Sequence, residues 1–401
     1  MIPRPEYIES IKPFIGKPQI KVITGIRRSG KSTVLRLLEK EIRQGGVQSE
    51  QLISINFESF RYSELLQASR LYEFVSNKID SKKKYYVFLD EIQDVQNWEK
   101  AVNSLMVDFN VDIYLTGSNS HLLSSELSTY LAGRYIEIPV FTLSYLEFLE
   151  FRKHYFSQEQ NSGNLFIEYL RKGGFPMIHT SDYSEESAYK LIYDIYSSVI
   201  LRDTVQRYKI RDVELLERVI KYAIDNIGNT FSGKNVADYF KSQQRRIDIN
   251  TVYNYLHALV GAFILYRVPR YDLKGKEILK TQEKFYVSDV SLIYATMGYR
   301  DRMIGRILEN MVYLELKRRG YRVFVGKLDQ HEIDFVAEKS GEKMYAQVAY
   351  KLHDEKTVER EFGNLLSIRD QYPKYVITMD EFWKDNVKGV QHLYITDFLS
   401  S

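Results

Sequence analysis

Eight consecutive residues, Gly25 to Ser32, place two glycines, a lysine and a hydroxyl at the spacing G-x-x-x-x-G-K-[ST]. A turn of this kind directs backbone N–H groups at one point, and the following helix adds the positive end of its dipole. Lys31 is then expected to contact the β- and γ-phosphates of a nucleotide, and Ser32 to ligate Mg²⁺. The expected nucleotide-binding residues are Gly25, Ile26, Arg27, Arg28, Ser29, Gly30, Lys31, Ser32 and Thr33.

Two carboxylates, Asp90 and Glu91, directly follow the apolar run at residues 85–89. An apolar strand that ends in two acidic residues is the expected second half of a nucleotide site. Asp90 is expected to hold Mg²⁺, and Glu91 to act as the general base that activates the attacking water. An ordinary acidic loop at a strand end is the alternative for this pair taken alone, but its occurrence together with the phosphate loop favours the site.

A polar segment, residues 116–120, ends the next predicted strand. A side chain at the tip of that strand can reach the γ-phosphate and the lytic water, and Asn119 is the first choice, with Ser118 second. A simple turn is the alternative. At the end of an earlier strand, Asn56 is expected to hold Glu91 in an inactive position.

The elements that must position these residues alternate regularly along the first 140 residues. Alternation of apolar strand patterns with helical patterns predicts a parallel α/β sheet. The predicted strands are 19–24, 52–57, 85–89, 111–116 and 135–139, and the predicted helices are 31–44, 62–79 and 98–108. This segment, 1–140, is the expected ATPase core.

Together these motifs resemble the additional-strand class of P-loop ATPases, close to AAA+ proteins. More narrowly, five segments resemble a bacterial and archaeal ATPase family that joins an AAA-like core to a C-terminal domain of uncharacterised function. These segments are residues 24–32, 89–93, 116–120, 131–134 and 173–176. The resemblance implies ATP and Mg²⁺ as cofactors and hydrolysis as the activity.

Arg134 ends the fourth of these segments, Leu131-Ala132-Gly133-Arg134. In AAA-like rings an arginine at this point can reach the γ-phosphate of a neighbouring subunit and stabilise transition-state charge. Arg134 is therefore expected to be catalytic in an oligomer, and a surface ion pair is the alternative.

The middle of the chain predicts two further domains. Residues 141–208 have helical patterns and are expected to form a lid, with a turn at Gly173-Gly174-Phe175-Pro176. The pattern of residues 209–290 predicts two helices, a third helix with an N-terminal cap, and then a β-hairpin. This order is the layout of a winged helix-turn-helix.

The winged-helix segment predicts contact with double-stranded DNA. Residues 205–280 contain 14 Lys and Arg against 8 Asp and Glu, a local balance of +6, whereas the whole chain carries only +3. Residues expected to face bases are Asn250, Thr251 and Asn254, and those expected to meet phosphates are Arg245, Arg246, Lys274 and Lys276. Winged helices also serve as packing modules in ATPases, and that alternative stays open.

Residues 302–401 resemble the restriction-endonuclease-like fold, whose active members bind Mg²⁺ through an Asp followed by Glu-x-Lys. Asp334 matches the first acid and Glu309 fits the acid of the preceding helix. Gln347-Val348-Ala349 stands where Glu-x-Lys belongs, and Lys351 is the possible substitute on the same strand face. The domain is therefore expected to be catalytically degenerate.

The composition excludes several other classes of protein. The 401 residues include no cysteine, which excludes a disulfide scaffold and a thiolate metal site and fits a reducing, cytoplasmic compartment. No apolar run approaches the roughly 20 residues of a membrane span.

The expected function is Mg²⁺-dependent ATP hydrolysis acting on DNA through the C-terminal region. The alternatives are a low-turnover ATP-dependent switch on a protein partner and an ATP-gated nuclease.

Overall fold

The computed structural model describes residues 1–80, 82–119, 133–156, 162–298, 303–352, 355–381, 383 and 386–401. The chain divides into two compact units. The first contains Met1–Thr142 and Gly261–Phe263, and the second contains Leu143–Val260 and Ile264–Ser401. In the described part of the chain, no helix is both long enough and apolar enough to cross a membrane.

The first unit is built on a five-stranded parallel sheet, as the alternation of strand and helix patterns predicts. Its strands are β1 (Ile20–Thr24), β2 (Leu52–Asn56), β3 (Tyr85–Asp90), β4 (Val111–Gly117) and β5 (Tyr135–Pro139). The order across the sheet is β2-β3-β4-β1-β5. The strand before the phosphate loop is thus separated from the strand that ends in Asp90 by β4, which is the expected additional strand.

Helices cover both faces of this sheet. They are α1 (Pro5–Ile11), α2 (Lys31–Gln44), α3 (Ala68–Ser76) and α4 (Trp98–Asp108). Because side chains alternate along a strand, Phe88 packs with residues of α1 and α2, whereas Val87 and Leu89 pack with residues of α3 and α4. These two apolar layers fix the carboxyl edge of the sheet, where the predicted site residues lie.

One helix of this unit differs from the sequence prediction. Instead of a single helix over 62–79, a 3₁₀ segment, Phe60–Leu65, is followed by the separate helix α3. Gln67, between them, has an extended backbone and forms an isolated β-bridge with Gln96. This bridge interrupts the helical hydrogen bonds, which the periodicity of the sequence does not reveal.

The second unit contains a mixed sheet of eight strands in the order β13-β12-β11-β10-β9-β7-β8-β6. These are β6 (Thr230–Phe231), β7 (Leu265–Asp272), β8 (Glu277–Val287), β9 (Arg322–Leu328), β10 (His331–Lys339), β11 (Glu342–Ala349), β12 (Lys374–Thr378) and β13 (Gln391–Tyr394). The strands predicted for the winged helix and for the C-terminal domain therefore lie in one sheet, joined by parallel pairing of β7 with β9. The domain boundaries inside this unit remain predictions.

Ten described helices accompany this sheet. They are α5 (Tyr145–Tyr155), α6 (Ser162–Lys172), α7 (Glu185–Ser198), α8 (Val213–Asp225), α9 (Gly233–Ser242), α10 (Ile249–Gly261), α11 (Ser291–Met297), α12 (Ile304–Arg318), α13 (Glu355–Leu366) and α14 (Ile395–Ser400). Within residues 141–208, where helical patterns are predicted, α7 is followed directly by a π-helical segment, Val199–Gln206. Asp248 caps α10, as predicted, since its side chain accepts a hydrogen bond from the backbone N–H of Asn250 at 2.8 Å.

Candidate nucleotide-binding site

The phosphate loop connects β1 to α2 at the carboxyl edge of the first sheet. Gly30 is the N-cap of α2 and has a left-handed backbone with a φ of +100°, which glycine adopts without steric cost. Lys31 and Ser32 open the helix. The loop therefore ends at a helix N-terminus, where N–H groups and the helix dipole favour a bound phosphate.

Gly25, the first glycine of the motif, also has a packing requirement. Its φ is +143°, and a Cβ atom at this position would lie 2.1 Å from the carbonyl oxygen of Val140. The backbone N–H of Val140 donates to the carbonyl of Thr24 at 2.7 Å, so the two segments cannot separate without breaking this bond. Only glycine fits here, which explains the first fixed position of the motif in physical terms.

Lys31 is buried, and its ammonium group is held by the loop itself. Nζ donates to the carbonyl oxygens of Gly25 at 3.1 Å and Ile26 at 3.2 Å, and lies 3.7 Å from Oε1 of Glu91. These contacts place a positive charge beside the loop and next to the second acidic residue of the predicted site.

Ser32 and Asp90 come together as the sequence predicts. Ser32 Oγ donates to Asp90 Oδ1 at 3.0 Å, and Thr116 Oγ1 donates to the same oxygen at 2.5 Å. Burial raises the pKa of the Asp90 carboxyl, although these two hydroxyls oppose the effect. A hydroxyl and a carboxylate oxygen at this separation are ligands that suit Mg²⁺, so the residues present fit the expected ion.

Glu91 is fixed by several polar groups. Its carboxylate accepts hydrogen bonds from Ser118 Oγ at 2.8 and 3.1 Å and from Gln93 Nε2 at 2.5 Å, and its backbone N–H donates to Thr116 Oγ1 at 2.8 Å. Burial alone would raise the pKa of Glu91, but the Lys31 charge and the two side-chain donors outweigh it and hold that pKa below its ordinary value. Glu91 is therefore ionised at neutral pH, as a general base requires.

The structure corrects the prediction for Asn56. Its Nδ2 donates to Asp90 Oδ2 at 3.1 Å, and it is Ser118 and Gln93 that hold Glu91. The reason is the strand register, which pairs Asn56 with Asp90, while Glu91 turns away with a left-handed φ of +57°. Asn119, the predicted polar residue at the tip of β4, is fully buried.

The remaining residues of the loop differ in their burial and in their contacts. Arg27 is largely buried and pairs with Glu58, whereas Arg28 is exposed and has a φ of +67°. Ile26 is buried, and Ser29 has a buried hydroxyl with no hydrogen-bond partner in the described structure. The backbone N–H of Thr33 donates a hydrogen bond to the carbonyl oxygen of Gly30 at 3.0 Å.

Arg4 supports the phosphate loop, a role that was not predicted from the sequence. Its guanidinium is 2% exposed and donates to the carbonyl oxygens of Ser29 at 2.9 Å and Phe141 at 3.0 Å. It also lies 4.5 Å from the centre of the Tyr7 ring. A single arginine 21 positions before the loop carries no local signal, so only the fold reveals its contact with the phosphate loop.

Arg134 lies just before β5 and is exposed. Its Nη1 donates to Asn103 Oδ1 at 3.3 Å, and its backbone carbonyl accepts from Ile20 at 2.8 Å. Leu131 and Ala132, which belong to the same predicted motif, lie outside the described residues. An exposed guanidinium is compatible with contact to another subunit, so this role stays a prediction.

The residues predicted to contact DNA lie on or next to α10 and at the tip of the β7–β8 hairpin. Asn250 and Asn254 are exposed, and Thr251 is half-buried. Arg245 and Arg246 are exposed just before α10, and Arg245 lies 3.4 Å from Glu214. At the hairpin tip, Lys274 pairs with Asp329 at 2.6 Å, and Lys276 is exposed.

The predicted nuclease-like residues form a buried cluster with a lysine that the sequence analysis missed. Lys284, on β8, is 1% exposed, and its Nζ lies 2.7 Å from Glu309, 2.8 Å from Glu332 and 3.4 Å from Asp334. Gln347 Oε1 accepts from the backbone N–H of Asp334 at 3.1 Å. Lys284, from a strand that is not adjacent to β10 in the sheet, therefore supplies the cation of this cluster.

The proposed substitute, Lys351, is not at this cluster in the described contacts. It follows the end of β11, is exposed, and its ammonium lies 5.5 Å from the ring of its neighbour Tyr350.

Burial would lower the pKa of Lys284, but the three carboxylates outweigh it and raise that pKa. Burial raises the pKa of Glu309 to about 7, against the effect of Lys284.

Comparison with known proteins agrees with these observations. Residues 17–149 match the family described as "AAA domain", and residues 163–302 match one described as "Domain of unknown function (DUF8612)". An uncharacterized protein of Haemophilus influenzae is 38% identical over 400 residues, which is 100% of this chain and 98% of that protein. Uncharacterized protein MJ1544 of Methanocaldococcus jannaschii is 32% identical over 347 residues, which is 84% of this chain and 76% of that protein.

A solved structure supports the fold. The Walker-type ATPase PABY2304 of Pyrococcus abyssi aligns with a TM-score of 0.53 at 14% identity, covering 74% of this chain and 96% of that protein. At this identity the similarity concerns the fold alone. Because the Haemophilus relative matches along the whole chain and the sheet order is that of P-loop proteins, the chain belongs to a family of AAA-like P-loop ATPases with a C-terminal domain of unknown function.

Proposed function

We propose that the first unit hydrolyses ATP in a reaction that requires Mg²⁺. The observation that carries this proposal is the convergence of Lys31, Ser32, Asp90 and Glu91 at one edge of the sheet. Ser32 and Asp90 are 3.0 Å apart, and Lys31 and Glu91 are 3.7 Å apart. Chance placement of two motifs from separate parts of the chain would not bring these four groups together.

Each residue has a role that its environment supports. Loop N–H groups and Lys31 would bind the β- and γ-phosphates, and Ser32 and Asp90 would hold Mg²⁺. Bound Mg²⁺ would neutralise phosphate charge. Glu91 would accept a proton from the attacking water, since its carboxylate is ionised and sits beside the loop. Asn119, buried at the tip of β4, would orient that water.

Arg134 would act in an oligomer. Its exposed guanidinium is bonded only weakly, at 3.3 Å to Asn103, so a neighbouring subunit could recruit it at little cost. In that arrangement Arg134 would stabilise charge on the γ-phosphate of the next subunit. Mixing Arg134→Ala protein with Glu91→Gln protein tests this: recovery of turnover in mixed oligomers supports action between subunits, and no recovery argues against it.

The ATPase proposal is tested by measuring ATP binding and ATP hydrolysis separately. Lys31→Ala should abolish both, whereas Glu91→Gln should keep ATP binding and reduce turnover by at least about 100-fold. The exposed residues Lys40 and Glu64 provide the matched controls Lys40→Ala and Glu64→Gln, which should behave as wild type. Normal turnover in Glu91→Gln would contradict the assigned base. Intact ATP binding with very little turnover in the wild type would favour the low-turnover switch on a protein partner.

We further propose that the second unit binds double-stranded DNA and that this binding stimulates the ATPase. The local charge of +6 in residues 205–280 and the exposed face of α10 support this. Duplex DNA should raise ATP turnover, and Arg245→Glu with Arg246→Glu should remove the stimulation while leaving basal turnover intact. Turnover that is indifferent to DNA would direct the search to a protein partner.

An ATP-gated nuclease is the weaker candidate. Gln347 and Ala349 stand where a metal-binding Glu and a catalytic Lys would be needed, and Lys284 already neutralises Glu309 and Asp334. Within the described residues, no group of three or more acidic or histidine side chains is arranged to hold a metal ion. We therefore expect the protein to leave plasmid and linear DNA uncut in the presence of ATP and Mg²⁺ or Mn²⁺.

A further inference from the structure

A cleft of about 930 Å³ opens in the second unit beside the tip of the β7–β8 hairpin. We call it the hairpin cleft. Its lining includes aromatic and aliphatic side chains, which we call the floor, and a mostly basic group, which we call the rim. The floor contains Tyr271, Leu273, Leu328 and Tyr345, and the rim contains Lys274, Lys276, Lys343, Arg369 and Tyr372.

The floor of the hairpin cleft is held rigidly by the sheet. Tyr271 pairs with Gly326 in the parallel register of β7 and β9, and Leu273 donates its backbone N–H to Lys327 at 2.9 Å. The side chains of Tyr271, Leu273 and Leu328 pack against the apolar core of the C-terminal strands. The cleft is therefore a preformed surface rather than a loop that must fold around a ligand.

The rim has an excess of positive charge. Two carboxylates line the cleft, and both are engaged: Asp329 pairs with Lys274 at 2.6 Å, and Asp370 accepts from Tyr345 at 2.6 Å and from Lys374 at 3.1 Å. Lys276 and Arg369 are exposed, and neither has an acidic partner among the described residues. Two cations thus remain for an external anion.

Aromatic rings lie beside these cations. The ammonium of Lys343 is 5.2 Å from the centre of the Tyr271 ring and 5.9 Å from that of Tyr372, and it also pairs with Glu338 at 2.8 Å. Tyr372 is 43% exposed, so part of its aromatic side chain is accessible to a ligand. A base that stacks on Tyr372 would bring its phosphates toward the cations of the rim.

We propose that the hairpin cleft binds a short segment of single-stranded DNA. This inference rests on the DNA partner proposed above and adds a second contact for it, which shares Lys274 and Lys276 with the predicted duplex contact. Aromatic platforms beside positive charges bind single strands, whose bases are free to stack. A duplex hides its bases, and the acidic side chains of a peptide supply negative charge but no ring to stack on Tyr372, so neither uses both features of the cleft through one repeating unit.

The test measures fluorescence anisotropy of labelled oligo(dT) and of a labelled duplex with the full-length protein. The cleft variants are Arg369→Glu and Tyr372→Ala, singly and combined, because neither residue belongs to the predicted winged helix. The matched controls are Lys190→Glu and Tyr193→Ala on α7, where both residues are exposed. Circular dichroism and basal ATP turnover confirm that each variant is folded.

The combined cleft variant should weaken oligo(dT) binding by about 10-fold or more and lower the salt dependence of that binding. The controls should bind as wild type, and duplex binding should fall far less. Unchanged oligo(dT) binding in the cleft variants would overturn the inference, as would a tenfold preference for oligo(U). Loss of duplex binding in Arg245→Glu/Arg246→Glu with normal oligo(dT) binding would separate the two DNA contacts. If wild type binds only duplex DNA, the cleft inference fails and the proposed function stands.

Discussion

Ser118 Oγ lies 2.8 Å from one carboxylate oxygen of Glu91 and 3.1 Å from the other, so one hydroxyl engages the proposed general base. Gln93 donates to Glu91 as well, at 2.5 Å. Hydrogen bonds to an ionised carboxylate lower its pKa and therefore its ability to accept a proton. In the structure described here, Glu91 is placed correctly but is a weaker base than it would be without these donors.

Removing the Ser118 donor should therefore increase basal turnover. We expect Ser118→Ala to raise kcat for ATP about two- to fivefold, because the remaining carboxylate is more basic, while KM for ATP stays the same. Ser69, an exposed serine on α3, provides the control Ser69→Ala. A fall in kcat would show instead that Ser118 holds Glu91 in its reactive position.

Most elements of the first unit could be predicted from the sequence because the signals that specify them are local. Five strands and the phosphate loop follow from short apolar runs and from one motif, and the meeting of Ser32 with Asp90 follows from the geometry of a parallel sheet. The position of Asn56 does not follow in this way. Its partner is set by a strand register, and a shift of one residue exchanges Glu91 for Asp90.

The second unit was harder to predict because its decisive contacts join distant residues. The pairing of Arg270 with Val325 makes one sheet of the segments expected to be two domains. Lys284 reaches Glu309 and Asp334 across that same sheet. No periodicity or motif encodes such pairings, since they depend on which strand edges meet in the folded chain.

Lys284 should be essential for the stability of the second unit. In Lys284→Met, the side chain that pairs with three carboxylates is lost, and the buried Glu309 and Asp334 must either keep an uncompensated charge or take up a proton. We expect a loss of about 3–5 kcal/mol in the free energy of unfolding, measured in urea.

Two further variants check this explanation for Lys284. Lys343→Met removes a single, partly exposed pair with Glu338 and should cost about 1 kcal/mol or less. Lys284→Met combined with Glu309→Gln should be more stable than Lys284→Met alone, because one buried acid without its cation is removed. Equal destabilisation by Lys284→Met and Lys343→Met would contradict the ion-pair account.

Gly173 should tolerate no side chain. It has a left-handed φ of +66°, and a Cβ atom there would lie 1.9 Å from Oδ1 of Asp289, whose Oδ2 accepts from the N–H of Gly174 at 2.8 Å. The backbone strain of Gly173→Ala alone should cost about 1–3 kcal/mol, and the clash should add to it. Gly341 has a φ of +86° with nothing within 4 Å of its Cβ position, so Gly341→Ala measures the strain without the clash. Equal losses of unfolding free energy in the two variants would exclude the clash.

His179 should make the second unit less stable in acid. Its Nε2 donates to the carbonyl of Gly173 at 2.8 Å, and its ring packs edge-on against Phe148. Burial, together with the nearby charges of Lys172 and Arg152, lowers the pKa of His179 to about 4, despite that hydrogen bond. Because the pKa in the unfolded chain is near its ordinary value, the unfolded state takes up a proton first as the pH falls.

The stability contributed by neutral His179 is therefore present above about pH 6.5 and is lost as the pH falls toward 4. His179→Gln stays neutral and can still donate to Gly173. Between pH 7 and pH 5, the free energy of unfolding of wild type should fall by about 2 kcal/mol more than that of His179→Gln. Urea titrations at the two pH values measure this difference. Equal losses of unfolding free energy in the two proteins would show that His179 takes up protons equally well in the folded and unfolded states. A smaller loss in His179→Gln would identify this buried imidazole as one source of acid sensitivity.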